Sequence, residues 1–148
     1  MMRHAQLIEA TLFLVAILAI YWFIGYYEVV FEPPFGIHYI RQTDSLAFVE
    51  NYLLFDHNFW EPATYNLLSQ DGKGASEFPI VYYICARLCE LFNLDSTLLK
   101  GLHLIIVTSG IYALYKSCRL FFPVFTSSSI TLISMSSTIF FYYGYNYL

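Results

Sequence analysis

An uncharged run of 18 residues, 10–27, constrains the fold more than any other feature of the chain. Glu9 and Glu28 bracket the run, and its aromatic residues gather at its far end, as they do where a membrane helix meets water. Crossing the hydrocarbon core takes about 20 apolar residues. The run therefore predicts a first transmembrane helix over 10–27. A cleaved signal peptide fits less well, because no small-residue cleavage site follows the run.

The charge content supports a membrane protein. Charged residues make up 12% of the chain and hydrophobic residues 58%, whereas soluble domains carry about 25% charged residues. No charged residue follows Arg119. Together these figures exclude an ordinary soluble domain.

Two further apolar segments predict transmembrane helices over residues 98–116 and 124–143. Pro123 separates them, and the third span is rich in Ser and Thr, which suits close helix packing in lipid. Lys100 and Lys116 border the uncharged part of the second span, and we expect their ammonium groups to extend outward to water.

Residues 79–94 are apolar but contain Arg87 and Glu90. A charge at the bilayer centre costs about 3 kcal/mol on insertion scales, so an amphipathic helix on the membrane surface is the better prediction. If the segment crossed, Lys116 and Arg119 would move to the outside, against the positive-inside rule.

These features predict an all-α membrane protein with three transmembrane helices. Residues 1–148 form one domain, and residues 28–97 form a large external loop that carries juxtamembrane amphipathic helices. The N-terminus is expected in the cytoplasm, and the multi-pass chain in a cytoplasmic membrane of bacterial type. Because the chain ends on aromatic residues without a polar tail, we expect a fragment of a longer polytopic protein.

The external loop is strongly acidic. Ten carboxylates stand against Arg41, Lys73 and Arg87, which leaves a charge of −7 and disfavours nucleic acid as a partner. The three cysteines have no metal or redox spacing and are interpreted as packing residues.

A polar stretch in this loop concentrates residues suited to chemistry. Thr43 is predicted to cap a helix over residues 44–54, which places Asp44 in the first turn, where the helix dipole favours a negative charge. Asp44 then suits a base or a metal ligand, and the planar guanidinium of Arg41 suits a phosphate. His38 is a candidate polar contact beside Arg41.

Structural alternatives to each of these roles remain open. Asp44 could serve only the helix start, and Arg41 could contact a lipid headgroup or pair with Asp44. Glu77 could merely precede the proline that starts a helix. Tyr82 and Tyr83 could be interfacial aromatic residues.

The order of these features resembles the N-terminal part of the GT-C glycosyltransferases, in the branch of the protein mannosyltransferases and the lipid A aminoarabinose transferase. The resemblance rests on one span, a loop with Arg-Gln-Thr-Asp at residues 41–44, Ser-Glu-Phe-Pro at 76–79 before a Tyr-rich helix, and two further spans. The basic turn at residues 119–122 is also similar to the cytoplasmic turn of the family.

The resemblance implies transfer of a sugar from a polyprenyl-phosphate donor to a lipid, glycan or protein acceptor on the outer face. It implies Asp44 and Glu77 as catalytic acidic residues, with Arg41, His38, Tyr82 and Tyr83 as candidates for substrate binding. Some family members bind a metal at the position of Asp44, which makes Mg²⁺ or Mn²⁺ a candidate cofactor. The family's second acidic residue and carrier-binding helices have no counterpart in these residues, so activity is not expected from this piece alone.

Two alternatives come from other classes of protein. A transporter or flippase subunit would carry charges near the middle of its spans, whereas here the charges gather in one loop. A non-catalytic membrane scaffold would use the Ser- and Thr-rich third span for assembly.

Overall fold

A computed structural model describes residues 2–30, 32–34, 36, 38–55, 58–65 and 78–137. The regular elements in these ranges are helices, with no β-strand among them, which confirms the predicted all-α class. In chain order they are α1 (Met2–Phe23), α2 (Tyr26–Val29), α3 (Tyr39–Leu54), α4 (Ile80–Phe92), α5 (Leu98–Arg119) and α6 (Val124–Met135).

The first apolar run is interrupted near its end. Helix α1 stops at Phe23, four residues before the predicted end of the span. Gly25 follows with φ 74°, a left-handed conformation that glycine adopts without steric cost. The single turn of α2 then starts at Tyr26, so the aromatic residues at this end lie on two helices rather than one.

Helices α1 and α5 run antiparallel. Near the start of α1, the carboxylate of Glu9 accepts a hydrogen bond from the hydroxyl of Tyr115, at 2.9 Å. Twelve residues later, the hydroxyls of Tyr21 and Thr108 are hydrogen-bonded at 3.0 Å. Residue numbers therefore increase along α1 in the direction in which they decrease along α5.

Helix α6 completes a three-helix bundle with α1 and α5. It follows α5 after a short turn, and Met135 at its end is buried in one cluster with Ile17 of α1 and Ile111 of α5. Ser127 and Thr131 are also buried on this helix, and such small residues allow helices to pack closely.

Among the described residues, α5 is the one helix that is both long and apolar enough to cross a membrane. Only 22% of its most apolar window is buried within the chain, whereas the core helix of a soluble protein would be mostly buried. The apolar parts of α1 (Leu7–Phe23) and α6 are shorter. Length and composition thus provide one candidate span, α5, which corresponds to the predicted second span. The predicted first and third spans stay predictions.

Helices α3 and α4 pack against each other at one end of α5 and form a second unit, which we call the α3–α4 unit. Asn93 caps the C-terminus of α4, and its positive φ of 53° lets the amide of Leu94 donate to the carbonyl of Cys89. Leu99, at the start of α5, is buried in the core of this unit together with Phe48, Val49, Tyr52, Tyr82, Cys85, Ala86 and Cys89.

The side chain of Lys100 differs from its prediction. It is 1% exposed rather than extended to water, and its ammonium group donates to the carbonyl oxygen of Glu32 at 2.9 Å. This bond fixes the segment after α2 against the first turn of α5. The segment after α2, helix α4 and the α3–α4 core therefore all lie at the end of the bundle opposite Glu9.

Candidate functional site

Helix α3 carries the predicted site, but it begins five residues earlier than the sequence predicted. Tyr39 is its first residue and His38 its N-cap, with no side-chain capping bond. Thr43 lies inside the helix and its hydroxyl donates to the carbonyl of Tyr39, at 2.8 Å. Nothing between His38 and Asp44 breaks a helix, and a threonine hydroxyl that bonds four residues back is compatible with a helix interior.

This shift changes the electrostatic setting of Asp44. The first turn of α3 contains no acidic residue, and Asp44 lies in the second turn. The effect of the helix dipole falls off beyond the first turn. The dipole argument for a negative charge at Asp44 is therefore weaker than the sequence suggested.

His38, Arg41 and Asp44 follow one another at intervals of three residues, which places them along one side of α3. Arg41 and Asp44 are exposed, and His38 is half-buried. Within the described part of the chain, no hydrogen bond or ion pair joins Arg41 to Asp44. Both His38 and Arg41 take part in other interactions, whereas none of the described residues forms a hydrogen bond or ion pair with Asp44.

The other side of α3 anchors the helix. Gln42 is fully buried, and Ser45 and Asn51 are almost completely buried. The hydroxyl of Ser45 donates to the carbonyl of Arg41 at 3.1 Å, and the amide of Asn51 donates to the carbonyl of Ala47 at 2.9 Å. Among the described residues, no buried side-chain polar atom lacks a hydrogen-bond partner. The buried side of α3 therefore fixes the helix that carries His38, Arg41 and Asp44.

Tyr82 and Tyr83 lie between α3 and α4. Tyr82 is 3% exposed and stacks on Phe48, with ring centroids 5.1 Å apart. Tyr83 contacts the ring of Tyr52 edge-on at 5.3 Å, and the guanidinium of Arg87 lies 5.0 Å from the centre of the Tyr83 ring. Both tyrosines therefore position α3. Of the two, only the half-buried Tyr83 has exposed surface that a ligand could contact.

Glu77, the second predicted carboxylate, lies outside the described residues. Among those described, no group of three or more His, Cys, Asp or Glu side chains could hold a metal ion. Mg²⁺ is commonly bound by one or two carboxylates together with substrate phosphates, so the metal role of Asp44 stays a prediction.

A polar network at the far end of the bundle went unrecognised in the sequence. The Oε1 atom of Glu9 accepts from Tyr115 and also from the Nε of Arg119, at 3.2 Å, and Lys116 lies 4.0 Å away. More than 100 residues separate Glu9 from these partners. The only signal in the sequence was that Glu9 and Arg119 each border an uncharged, apolar run.

The cysteines of α4 behave as packing residues. Cys85 and Cys89 are buried and unbridged, and the thiol of Cys89 donates to the carbonyl of Asp95 at 3.2 Å. Burial raises the pKa of both thiols above the ordinary value. Neither thiol is therefore suited to nucleophilic chemistry at neutral pH.

No protein-family model, no curated protein and no solved structure matches this chain.

Proposed function

We propose that the chain forms the N-terminal part of an inverting GT-C-type glycosyltransferase, which transfers a sugar from a polyprenyl-phosphate donor to an acceptor on the outer face of a cytoplasmic membrane. One observation carries the proposal. The exposed row of Arg41 and Asp44 belongs to the α3–α4 unit, at the end of the bundle opposite Lys116 and Arg119.

The surfaces of the bundle support three membrane spans. Helix α1 exposes large apolar side chains along its length, among them Leu12, Val15, Leu18 and Phe23, which is 90% exposed. Contiguous apolar surface of this kind marks a protein or membrane contact. Because α1 and α6 pack alongside α5, lipid that surrounds α5 also surrounds them.

The length of α5 supports a placement of its two ends on opposite sides of the membrane. Leu99 lies in the α3–α4 core and Arg119 ends the helix. Twenty residues of helix span about 30 Å, the thickness of the hydrocarbon core. By the positive-inside rule Lys116 and Arg119 are cytoplasmic, and the α3–α4 unit is then external.

The length of α4 supports a position of this helix at the membrane surface rather than across the membrane. Its 13 residues span about 20 Å, which is too short to cross the core. The helix packs on α3 and on the start of α5, and its exposed residues include Ile80, Ile84 and Leu91. This pattern suits a helix that rests at the outer interface.

The exposed row supplies groups for glycosyl transfer. The acceptor hydroxyl attacks the anomeric carbon of the sugar, and the bond from that carbon to the phosphate oxygen breaks with inversion. Asp44 takes the proton of the hydroxyl, and Arg41 donates hydrogen bonds to the departing polyprenyl phosphate. The family resemblance assigns Glu77 to the same site as a further acidic residue.

The proposal is tested with the full-length protein in proteoliposomes, where release of polyprenyl phosphate from a polyprenyl-phosphate sugar is measured with a membrane extract as the source of acceptor. Asp44→Asn should lower the rate by about 100-fold or more, the usual contribution of a general base. Asp95→Asn is the matched control, because Asp95 is an exposed carboxylate at the same end and Asn can replace its capping bond to Thr97. Equal rates for wild type and Asp44→Asn would contradict the role of Asp44.

A further inference from the structure

A narrow groove runs between α1 and α6, with Tyr115 of α5 at its floor. Its volume is about 230 Å³. Its walls are almost wholly apolar and include Leu12, Ala16, Ile17, Ile20 and Leu132. Along α1 the lining extends from Glu9 to Ile20, which corresponds to about 16 Å of helix.

The groove exists because α1 and α6 approach α5 with side chains of different size. Helix α1 meets α5 through rings, and the centroids of Phe13 and Tyr115 lie 5.0 Å apart. Helix α6 buries the small residues Ser127 and Thr131, so it packs more closely on α5. Ser128 then leaves space at the wall of the groove that faces α1.

Charge is concentrated at one mouth of this groove. Glu9 lines it, and Lys116 and Arg119 both lie within ion-pair distance of the Glu9 carboxylate. Two cations against one carboxylate leave a net positive charge. The Nζ atom of Lys116 is 4.0 Å from Glu9, too far for a hydrogen bond, so its donors are not used by that carboxylate.

We propose that this groove binds one anionic phospholipid of the cytoplasmic leaflet. One acyl chain lies along Leu12, Ala16 and Leu132, and the phosphate group lies against Lys116 and Arg119. An apolar trough suits a hydrocarbon chain, and the net positive charge at its mouth selects an anionic lipid over a zwitterionic one. Basic pockets between transmembrane helices on this side of a membrane bind such headgroups. The site lies at the end of the bundle opposite Asp44 and is independent of the proposed transferase activity.

Native mass spectrometry of the full-length protein, released from nanodiscs with equal amounts of phosphatidylglycerol and phosphatidylcholine, tests this site. Wild type should retain one phosphatidylglycerol per chain in clear preference to phosphatidylcholine. Lys116→Gln should lower that retention roughly fivefold, the effect of about one favourable charge near the membrane surface. Arg87→Gln removes a cation from the α3–α4 unit instead and should leave retention unchanged.

A second pair of variants tests the groove apart from its charge. Ser128→Phe should fill the groove and abolish retention, whereas Ser129→Phe, one position further around α6 and outside the lining, should not. Ala16→Phe fills the groove from α1 and serves if Ser128→Phe does not fold. Equal retention of the two lipids by wild type, or retention by Ser128→Phe and Ala16→Phe that matches Ser129→Phe, would overturn the proposal.

Discussion

The α3–α4 unit buries its large apolar side chains, whereas the three-helix bundle leaves many of its large apolar side chains exposed. In the α3–α4 unit, Phe48, Tyr82 and Cys85 are almost completely buried, as in the core of a water-soluble protein. In the bundle, only the inner line of residues is buried, and large apolar side chains such as Leu18 and Phe125 are more than half exposed.

Under the proposed topology, the bundle lies in lipid and the α3–α4 unit in water, and this difference in burial agrees with that placement. A soluble core gains its stability from the removal of apolar surface from water. Helices in lipid gain little in that way, because the lipid is as apolar as leucine, and they associate through packing and polar contacts. The polar contacts of the bundle, Tyr21 with Thr108 and Glu9 with Tyr115, are of the second kind.

The largest expected effect comes from a matched pair of phenylalanines. Phe48→Ala should lower the free energy of unfolding by about 3–5 kcal/mol, because it opens a cavity in a closed core. Phe13→Ala should lower it by about 1 kcal/mol, because lipid can occupy the space and mainly the ring contacts with Tyr112 and Tyr115 are lost. Denaturant unfolding in mixed micelles measures both, and equal losses would remove the distinction between the regions.

A smaller effect is expected at the polar end of the bundle. Glu9→Gln keeps an acceptor for Tyr115 but removes the charge that faces Arg119 and Lys116. We expect a loss of about 1 kcal/mol, since the side chains of Glu9 and Arg119 are only about a quarter exposed. The same unfolding assay measures it, and the loss should persist in high salt because partly buried pairs are poorly screened.

The smallest loss of unfolding free energy is expected for a Glu-to-Gln substitution on α4. Glu90→Gln breaks the 2.7 Å ion pair with Arg87, whose side chain is 39% exposed while that of Glu90 is 62% exposed. Such surface pairs contribute about 0.3–0.5 kcal/mol, and salt should abolish even that. A loss at Glu90 as large as that at Glu9 would show that exposure does not separate these two pairs.

The sequence predicted most helices because their causes are local. An apolar run bounded by charges or proline predicted α1, α5 and α6, and α4 follows Pro79 as expected. The start of α3 was predicted too late because Thr43 was assigned as a cap. Whether a threonine caps a helix or bonds back to its own interior depends on the preceding residues, and those carry no strong signal.

Long-range polar contacts could not be predicted. The bond from Lys100 to Glu32 and the network of Glu9 join residues far apart in the chain, and each depends on how helices pack. The row of Arg41 and Asp44 was predicted to be polar and is exposed. Its chemical role stays a prediction.

In the proposed topology, the α3–α4 unit and the turn after α5 lie on opposite sides of a membrane. Single cysteines at Asn58, Leu94 and Phe121 test it, each introduced with Cys118→Ala and labelled in sealed right-side-out vesicles with a membrane-impermeant maleimide. Cys85 and Cys89 can remain, because burial raises the pKa of both thiols and hides them from the reagent.

We predict labelling of Asn58→Cys and Leu94→Cys from outside, and of Phe121→Cys only after the vesicles are permeabilised. Labelling of position 58 but not 94 in sealed vesicles would show that α4 crosses the membrane. Labelling of position 121 from outside would place both ends of the bundle on one side. Either result would contradict the membrane topology and the external site that depends on it.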